Sequence, residues 1–298
     1  MNHAIAFLAA GLIAFAFTEV SFAQASPEPK LYKVGKAEVW AIADSVGERD
    51  TNTFSSFTDS KTLKEYMPEG KVPTAIMIFA VKTGKDIILI DTGLGIPSGD
   101  RASMLMPALK KIGINPEDVT MVLISHMHPD HIGGLVWNGQ KAFPNAKVKI
   151  GRVEKDFWTH ENSPKQLPSR QSYFEQIKNV ISMYGNAIST FEFGDVVAPG
   201  ITALNARGHT PGHTVFMLES DGQKFLFIAD LLHAAALQFP RPDISGMYDM
   251  NPKESAQNRE KYLELAAKEK IMIGGAHLPF PAVGTVVRDG KGYKYIPD

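Results

Sequence analysis

Five short apolar runs in this chain each end on an aspartate or deliver a histidine, and that pattern narrows the possible folds most. Residues 87–90 meet Asp91, and 119–124 lead to His126. Residues 201–204 lead to His209 through "RGHTPGH", 225–229 end at Asp230, and 271–273 deliver His277 in "GGAHLPFP". Short continuous apolar runs fit strands buried on both faces. Helical patterns lie between them. One covers 101–113 and closes with Gly113; another covers 168–185 and stops at Gly185. A third covers 251–270, with Asn251 as its cap and Pro252 at its first helical position. Mixed β and α order of this kind predicts an α/β chain whose strands lie between helices. Polar residues at strand ends sit where loops meet a rigid sheet, which holds metal ligands to a fraction of an ångström.

The densest of these positions is "SHMHPDHIGG", residues 125–134. In extended chain, alternate side chains point the same way, so His126 and His128 reach one cation together. Pro129 then redirects the backbone, and Asp130 and His131 face a second position. Distant residues must complete both sites. Of nine histidines, His209 and His277 follow strands; His3 and His160 carry no signal. Asp230 ends an apolar run, where an unpaired carboxylate is costly; bridging two cations removes that cost. The chain has no cysteine, so the donors are imidazole and carboxylate. That set suits zinc, and also manganese, iron or cobalt.

The order His-x-His-x-Asp-His, lone His, Asp, last His resembles the metallo-β-lactamase superfamily, and the match runs from Asp91 to His277. The resemblance implies a single-domain four-layer αβ/βα sandwich with the site at one edge of its two sheets. It implies that His126, His128 and His209 hold a first metal, that Asp130, His131 and His277 hold a second, and that Asp230 bridges them. Asp91 resembles the family's buried aspartate that orients the ligand loop, and His213 is expected to hold a loop or a ligand rather than bind metal. Such a pair of cations, about 3.5–4 Å apart, shares a hydroxide and polarises a substrate oxygen, so no Ser or Cys nucleophile is needed. Asp130 would also pass a proton to the leaving group.

Beyond the motif, "AFPNA", "KDFW", "RGHTPGHT", "LQF", "HLPFP" and "GKGYKYIP" resemble the exported methyl parathion hydrolase-like and lactonase-like branch. That branch implies a homodimer and an aromatic-lined pocket, with Trp158 and Phe239 as wall residues and Phe174 and Tyr248 as weaker ones. His233, three residues past Asp230, departs from the phosphotriesterase-type members, where an apolar residue is expected. A histidine there suits a lactone carbonyl or a carboxylate product, with Tyr248 as a further donor. The expectation is therefore lactone or carboxyl-ester hydrolysis, of an aryl lactone or acyl-homoserine lactone, with phosphotriester cleavage as a side reaction. An organophosphate hydrolase is the alternative. A β-lactam hydrolase fits the ligand set less well, and a metal-binding module without catalysis is the non-enzymatic reading.

Composition excludes other classes. The formal net charge is −1 and no basic run stands out, so no nucleic-acid partner is expected. The first 25 residues read as a signal peptide with a 14-residue apolar core, residues 4–17, too short for a membrane span of about 20. Cleavage after Ala25 would leave a 26–298 hydrolase domain, periplasmic or secreted and without membrane insertion. An uncleaved anchor or a buried N-terminal helix is the other reading of that segment.

Overall fold

The computed structural model describes residues 21–22, 27–96 and 102–298. The expected signal peptide, 1–25, lies outside these residues except for Ser21–Phe22, a two-residue strand paired with Gly47 and Glu48. Among the described residues, no helix is long and apolar enough to cross a membrane.

Strand periodicity organises the interior. In Ala37–Asp50, Val39, Ala41 and Ala43 join one hydrophobic cluster while Ile42 joins another. In Lys71–Thr83, Ala75, Met77, Phe79 and Val81 face the first cluster, and Ile78 and Ala80 the second. The same two-residue alternation splits Leu123 from Val122 and Ile124. Side chains alternate across a pleated strand, so a strand covered on both sides must be apolar at every position. The short runs that end at Asp91, Asp230 and the histidine loops are apolar for this reason.

The first sheet has the order Ser21–Phe22, Ala37–Asp50, Lys71–Thr83, Asp86–Ile90, Met121–Ile124, Lys147–Gly151, Ile188–Phe191, with Lys30–Val34 also paired to Ala37–Asp50. Its last four strands run parallel. The second sheet follows chain order: Val196–Ala198, Ile201–Asn205, Thr214–Ser220, Gln223–Ala229, Met272–Gly275, Val283–Asp289, Gly292–Pro297. The first cluster draws residues from both sheets and fills the space between them. Helices Leu105–Lys111 and Gln171–Tyr184 cover the outer face of the first sheet through Leu109, Ile177 and Val180. Helix Pro252–Glu269 covers the second sheet through Tyr262, Leu263 and Ala266. The result is a helix–sheet–sheet–helix sandwich, as expected. Asn251 caps the last helix, its side chain accepting from the Glu254 amide, and Gly185 ends the middle one at a φ of 49°.

Every expected strand forms and ends within two residues of its apolar run. Their C-terminal ends point the same way, and the loops leaving them meet at one place.

Candidate metal centre

Four imidazoles at that place are held through Nδ1, leaving Nε2 turned inward. His126 Nδ1 lies 3.1 Å from Ser125 Oγ. His131 Nδ1 donates to Asp91 Oδ2 at 2.8 Å. His209 Nδ1 donates to Asp249 Oδ1 at 3.2 Å, and His277 Nδ1 to the Ala75 carbonyl at 3.0 Å. These contacts fix the tautomer, so four Nε2 lone pairs converge. His128 enters the other way, through Nδ1.

Two groups result. His126 Nε2 and His209 Nε2 each lie 3.0 Å from His128 Nδ1, and Asp230 Oδ2 stands 3.3 Å from His209 Nε2. Asp130, His131 and His277 make the second group, with His277 Nε2 3.4 Å from Asp130 Oδ2. Asp230 belongs to both: its Oδ1 is 3.1 Å from His131 Nε2 and its Oδ2 is 3.0 Å from His277 Nε2. All seven side chains predicted as ligands are therefore brought together.

The donor set fits divalent cations. Asp230 Oδ1 and His131 Nε2 are buried without a hydrogen-bond partner among the described residues, an arrangement that costs free energy unless a cation completes it. Burial holds His126 and His128 well below the usual imidazole range, and the neighbouring imidazoles lower them further; both stay neutral and keep their lone pairs. Burial would raise the Asp230 carboxyl, but His131 and His277, with the rings behind them, hold it well below the usual range. Burial also opposes charge on His131, yet Asp230, Asp91 and Asp130 raise it well above an ordinary histidine. The second group thus favours positive charge. The two clusters support two metal ions.

Local backbone features make the convergence possible. Asp91 and Ala229, at the ends of Asp86–Ile90 and Gln223–Ala229, have φ of 61° and 45°, a left-handed conformation that costs a non-glycine residue about 1 kcal/mol or more. Asp91 is further fixed by accepting from the Ser125 amide (2.8 Å) and hydroxyl (2.6 Å). The glycines of "HIGG" admit a close approach: a Cβ on Gly134 would stand 2.0 Å from the Thr92 carbonyl oxygen. His213 has a loop-holding place. Its Nδ1 donates to the Ala206 carbonyl and its Nε2 accepts from the Asp230 amide, and burial lowers its pKa to about 3.

Two supports carry no sequence signal. Glu154, on helix Arg152–Thr159, is buried and accepts four hydrogen bonds. The donors are the Met127 amide (2.9 Å), Trp158 Nε1 (2.7 Å), the Thr210 hydroxyl (2.7 Å) and the Gly212 amide (2.8 Å). It joins the loop of His126 and His128 to the loop of His209. Asp249, behind His209, also accepts from the buried Arg259 at 3.3 Å, and His209 and Arg259 hold its carboxyl below the usual range against burial. The partners that tie these carboxylates to the ligand loops, Met127, Thr210 and Gly212 for Glu154 and His209 for Asp249, lie 27 to 58 residues away in sequence, so no local motif marks them.

The predicted pocket residues divide. His233 joins the site: its Nε2 is 3.2 Å from Asp230 Oδ2, its Nδ1 is buried without a partner, and its ring stacks on His277 at 5.0 Å and on Tyr248 at 5.5 Å. Trp158 lies edge-on to His128 at 5.7 Å and 5.0 Å from Phe174. Phe239 is a correction. It is fully buried in the inter-sheet core and stacks parallel on Tyr295 at 4.8 Å. It follows the short helix Ala235–Gln238, and one helical step separates it from Gln238, whose Oε1 accepts from the amides of His233 and Ala234. The residue that reaches the site's loop is Gln238, and Phe239 turns into the core.

A family profile described as the metallo-beta-lactamase superfamily matches residues 72–277, which contain all seven converging side chains. The chain belongs to that superfamily. With this ligand set it is a metal-dependent hydrolase. Among curated relatives, an N-acyl homoserine lactonase of Bacillus thuringiensis is 23% identical over 74% of this chain and 88% of its own length. One from Bacillus cereus is 26% identical over 75% and 86%. A third, from Bacillus sp., is 27% identical, and that match spans 49% of this chain and only 59% of the relative. Among solved structures, the dizinc quorum-quenching lactonase AidC, in complex with a product, superposes with a TM-score of 0.83 at 28% identity, covering 93% of this chain and 99% of its own. A hydrolase of the beta lactamase superfamily, AbOPH, is 33% identical with a TM-score of 0.83, covering 91% and 97%.

Proposed function

We propose that this chain is an exported dinuclear-metal lactonase, acting on an aryl lactone or an acyl-homoserine lactone. The observation that carries the reading is the meeting of both histidine groups on the single carboxylate of Asp230, in a chain similar to a dizinc lactonase. In this reading His126, His128 and His209 hold one ion, Asp130, His131 and His277 the other, and Asp230 both; zinc is the metal we assign. The bound pair supplies Lewis acidity and an activated water at neutral pH.

The remaining steps belong to the protein. His233 is kept neutral by burial and places its one proton, on Nε2, against Asp230 Oδ2 at 3.2 Å, so its buried, unpaired Nδ1 is an acceptor for a substrate N–H or O–H rather than the donor to a carbonyl that the sequence suggests. Tyr248, stacked on it, keeps that ring in place. Asp130, the one ligand with a substantially exposed side chain (26%), meets the leaving alcohol and returns its proton. Trp158 and Phe174 form an apolar wall beside His128, which takes the acyl or aryl part. Residues 1–25 direct export and are removed, and the mature enzyme is a periplasmic or secreted homodimer.

The test compares kcat/KM of zinc-loaded mature protein for an aryl lactone, an acyl-homoserine lactone and methyl paraoxon, with and without chelator. A lactone preferred by more than about tenfold, with turnover abolished by chelation, supports the proposal. Preference for the phosphotriester would make this an organophosphate hydrolase and assign His233 to structure.

A further inference from the structure

Two arginines stand over the same opening, and neither is used by the reading above. Arg170, just before helix Gln171–Tyr184, brings Nη1 to 3.0 Å from His128 Nε2 and Nη2 to 3.4 Å from the Tyr248 carbonyl. Arg49, next to the end of Ala37–Asp50, is 7% exposed and places its guanidinium 4.8 Å above the Tyr248 ring. Its Nε has no hydrogen-bond partner. Among the described residues neither arginine makes an ion pair. A guanidinium keeps its charge when buried, so Arg49 without a carboxylate is costly, and half-buried Arg170 carries a smaller cost of the same kind.

The contact to His128 does not relieve that cost. His128 turns Nδ1 toward His126 and His209, so its Nδ1 lone pair serves the convergent position and its proton resides on Nε2. Nε2–H then faces an Arg170 N–H at 3.0 Å, two donors with no acceptor between them. The carboxylates of the site are already engaged: Asp230 and Asp130 with the imidazoles, Asp91 with Ser125 and His131. An oxyanion from outside would accept from Arg170 and the His128 edge and neutralise Arg49 nearby. Tyr248 touches both arginines, and the Tyr173 ring lies 5.6 Å from His128 and 5.8 Å from the Arg170 guanidinium, giving the opening an aromatic floor.

We propose that Arg49 and Arg170 form an oxyanion subsite beside the reacting centre, so that preferred substrates are esters or lactones carrying a second, anionic group. The inference rests on the hydrolase reading for its kinetic test and stands apart from it for its binding test. Carboxylate and phosphate share the required acceptor chemistry.

The experiment uses zinc-loaded protein and two matched esters, 4-nitrophenyl hydrogen glutarate and its neutral methyl ester, with a phosphonate analogue as a third arm. The charged ester should win by about tenfold or more, chiefly in KM, and less so at high salt. The better of the two anionic arms names the group. Arg49→Leu and Arg170→Gln should each shrink the charged-to-neutral ratio by about tenfold, and Arg49→Lys should restore part of it. An equal loss for both esters, or no preference in the wild type, overturns the proposal. In parallel, calorimetry measures glutarate against monomethyl glutarate. If no ester is turned over, the hydrolase reading fails, and calorimetry alone decides the subsite. Weaker glutarate binding in Arg49→Leu then supports it, and unchanged binding overturns it.

Discussion

Replacing Glu154 by glutamine should loosen the first metal group without touching a ligand. The carboxylate accepts four hydrogen bonds, two on each oxygen. An amide nitrogen in place of Oε1 would face two fixed donors, the Met127 amide and Trp158 Nε1. In place of Oε2 it would face one fixed donor, the Gly212 amide, and the Thr210 hydroxyl, which can rotate to accept. The amide will take the second orientation and lose one bond to a charged acceptor, worth about 1.5–3 kcal/mol. The bonds that remain lose their charge assistance, and relief of burying a charge offsets part of this. The expected cost is about 2–4 kcal/mol. Urea unfolding of the metal-free protein, followed by tryptophan fluorescence, measures it as a lower midpoint at unchanged slope. Since Glu154 links the loops of His126, His128 and His209, the first zinc should also bind about 10–100-fold more weakly. A variant within about 0.5 kcal/mol of wild type, with unchanged zinc affinity, would refute the reasoning.

Asp91→Asn places an amide nitrogen either against the Ser125 amide on Oδ1 or against the Ser125 hydroxyl and His131 Nδ1–H on Oδ2; zinc affinity at the second position should fall about 10–100-fold by competition with a fluorescent chelator. Asp249→Asn leaves Arg259 buried and unpaired, so unfolding free energy should drop by about 3–5 kcal/mol, and a loss under about 1 kcal/mol would contradict the buried pair's importance. Metal-free protein should lose stability on acidification. His126, His128, His213 and His233 have folded pKa values below the unfolded value near 6.5, the last two about 3, so the unfolded chain takes up more protons as pH falls below 6.5. His131, raised in the folded state, acts in the opposite direction, one group against four. Thermal midpoints of chelated protein at pH 7 and pH 5 should therefore differ, with the lower value at pH 5; equal midpoints would count against burial of neutral imidazoles.

The parts of this structure that were legible in sequence are those whose physics is local. Continuous apolarity marked 87–90 and 225–229 because both faces of those strands are covered. The seven converging side chains stood out because four lie within six residues and the others end apolar runs. The strands Ala37–Asp50 and Lys71–Thr83 carry no clear signature in sequence because polar ends and interior glycine or proline break their pattern. Glu154, Asp249 and Arg259 look like solvated helix or loop charges until the fold buries them against distant partners. Arg49 and Arg170 are ordinary surface residues by type, and only the opening they share distinguishes them. Phe239 departs from the expected pocket wall because a residue beside a loop that reaches the site can still turn into the core; one helical step decides which.

The central claim is that one chain holds two ions at the carboxylate of Asp230 and needs both. Titrating metal-free protein with zinc while following lactone hydrolysis tests it most directly. Turnover should rise until two equivalents are bound per chain, and Asp230→Asn should abolish that second equivalent. Full activity at one equivalent, or turnover that persists without metal, would contradict the account.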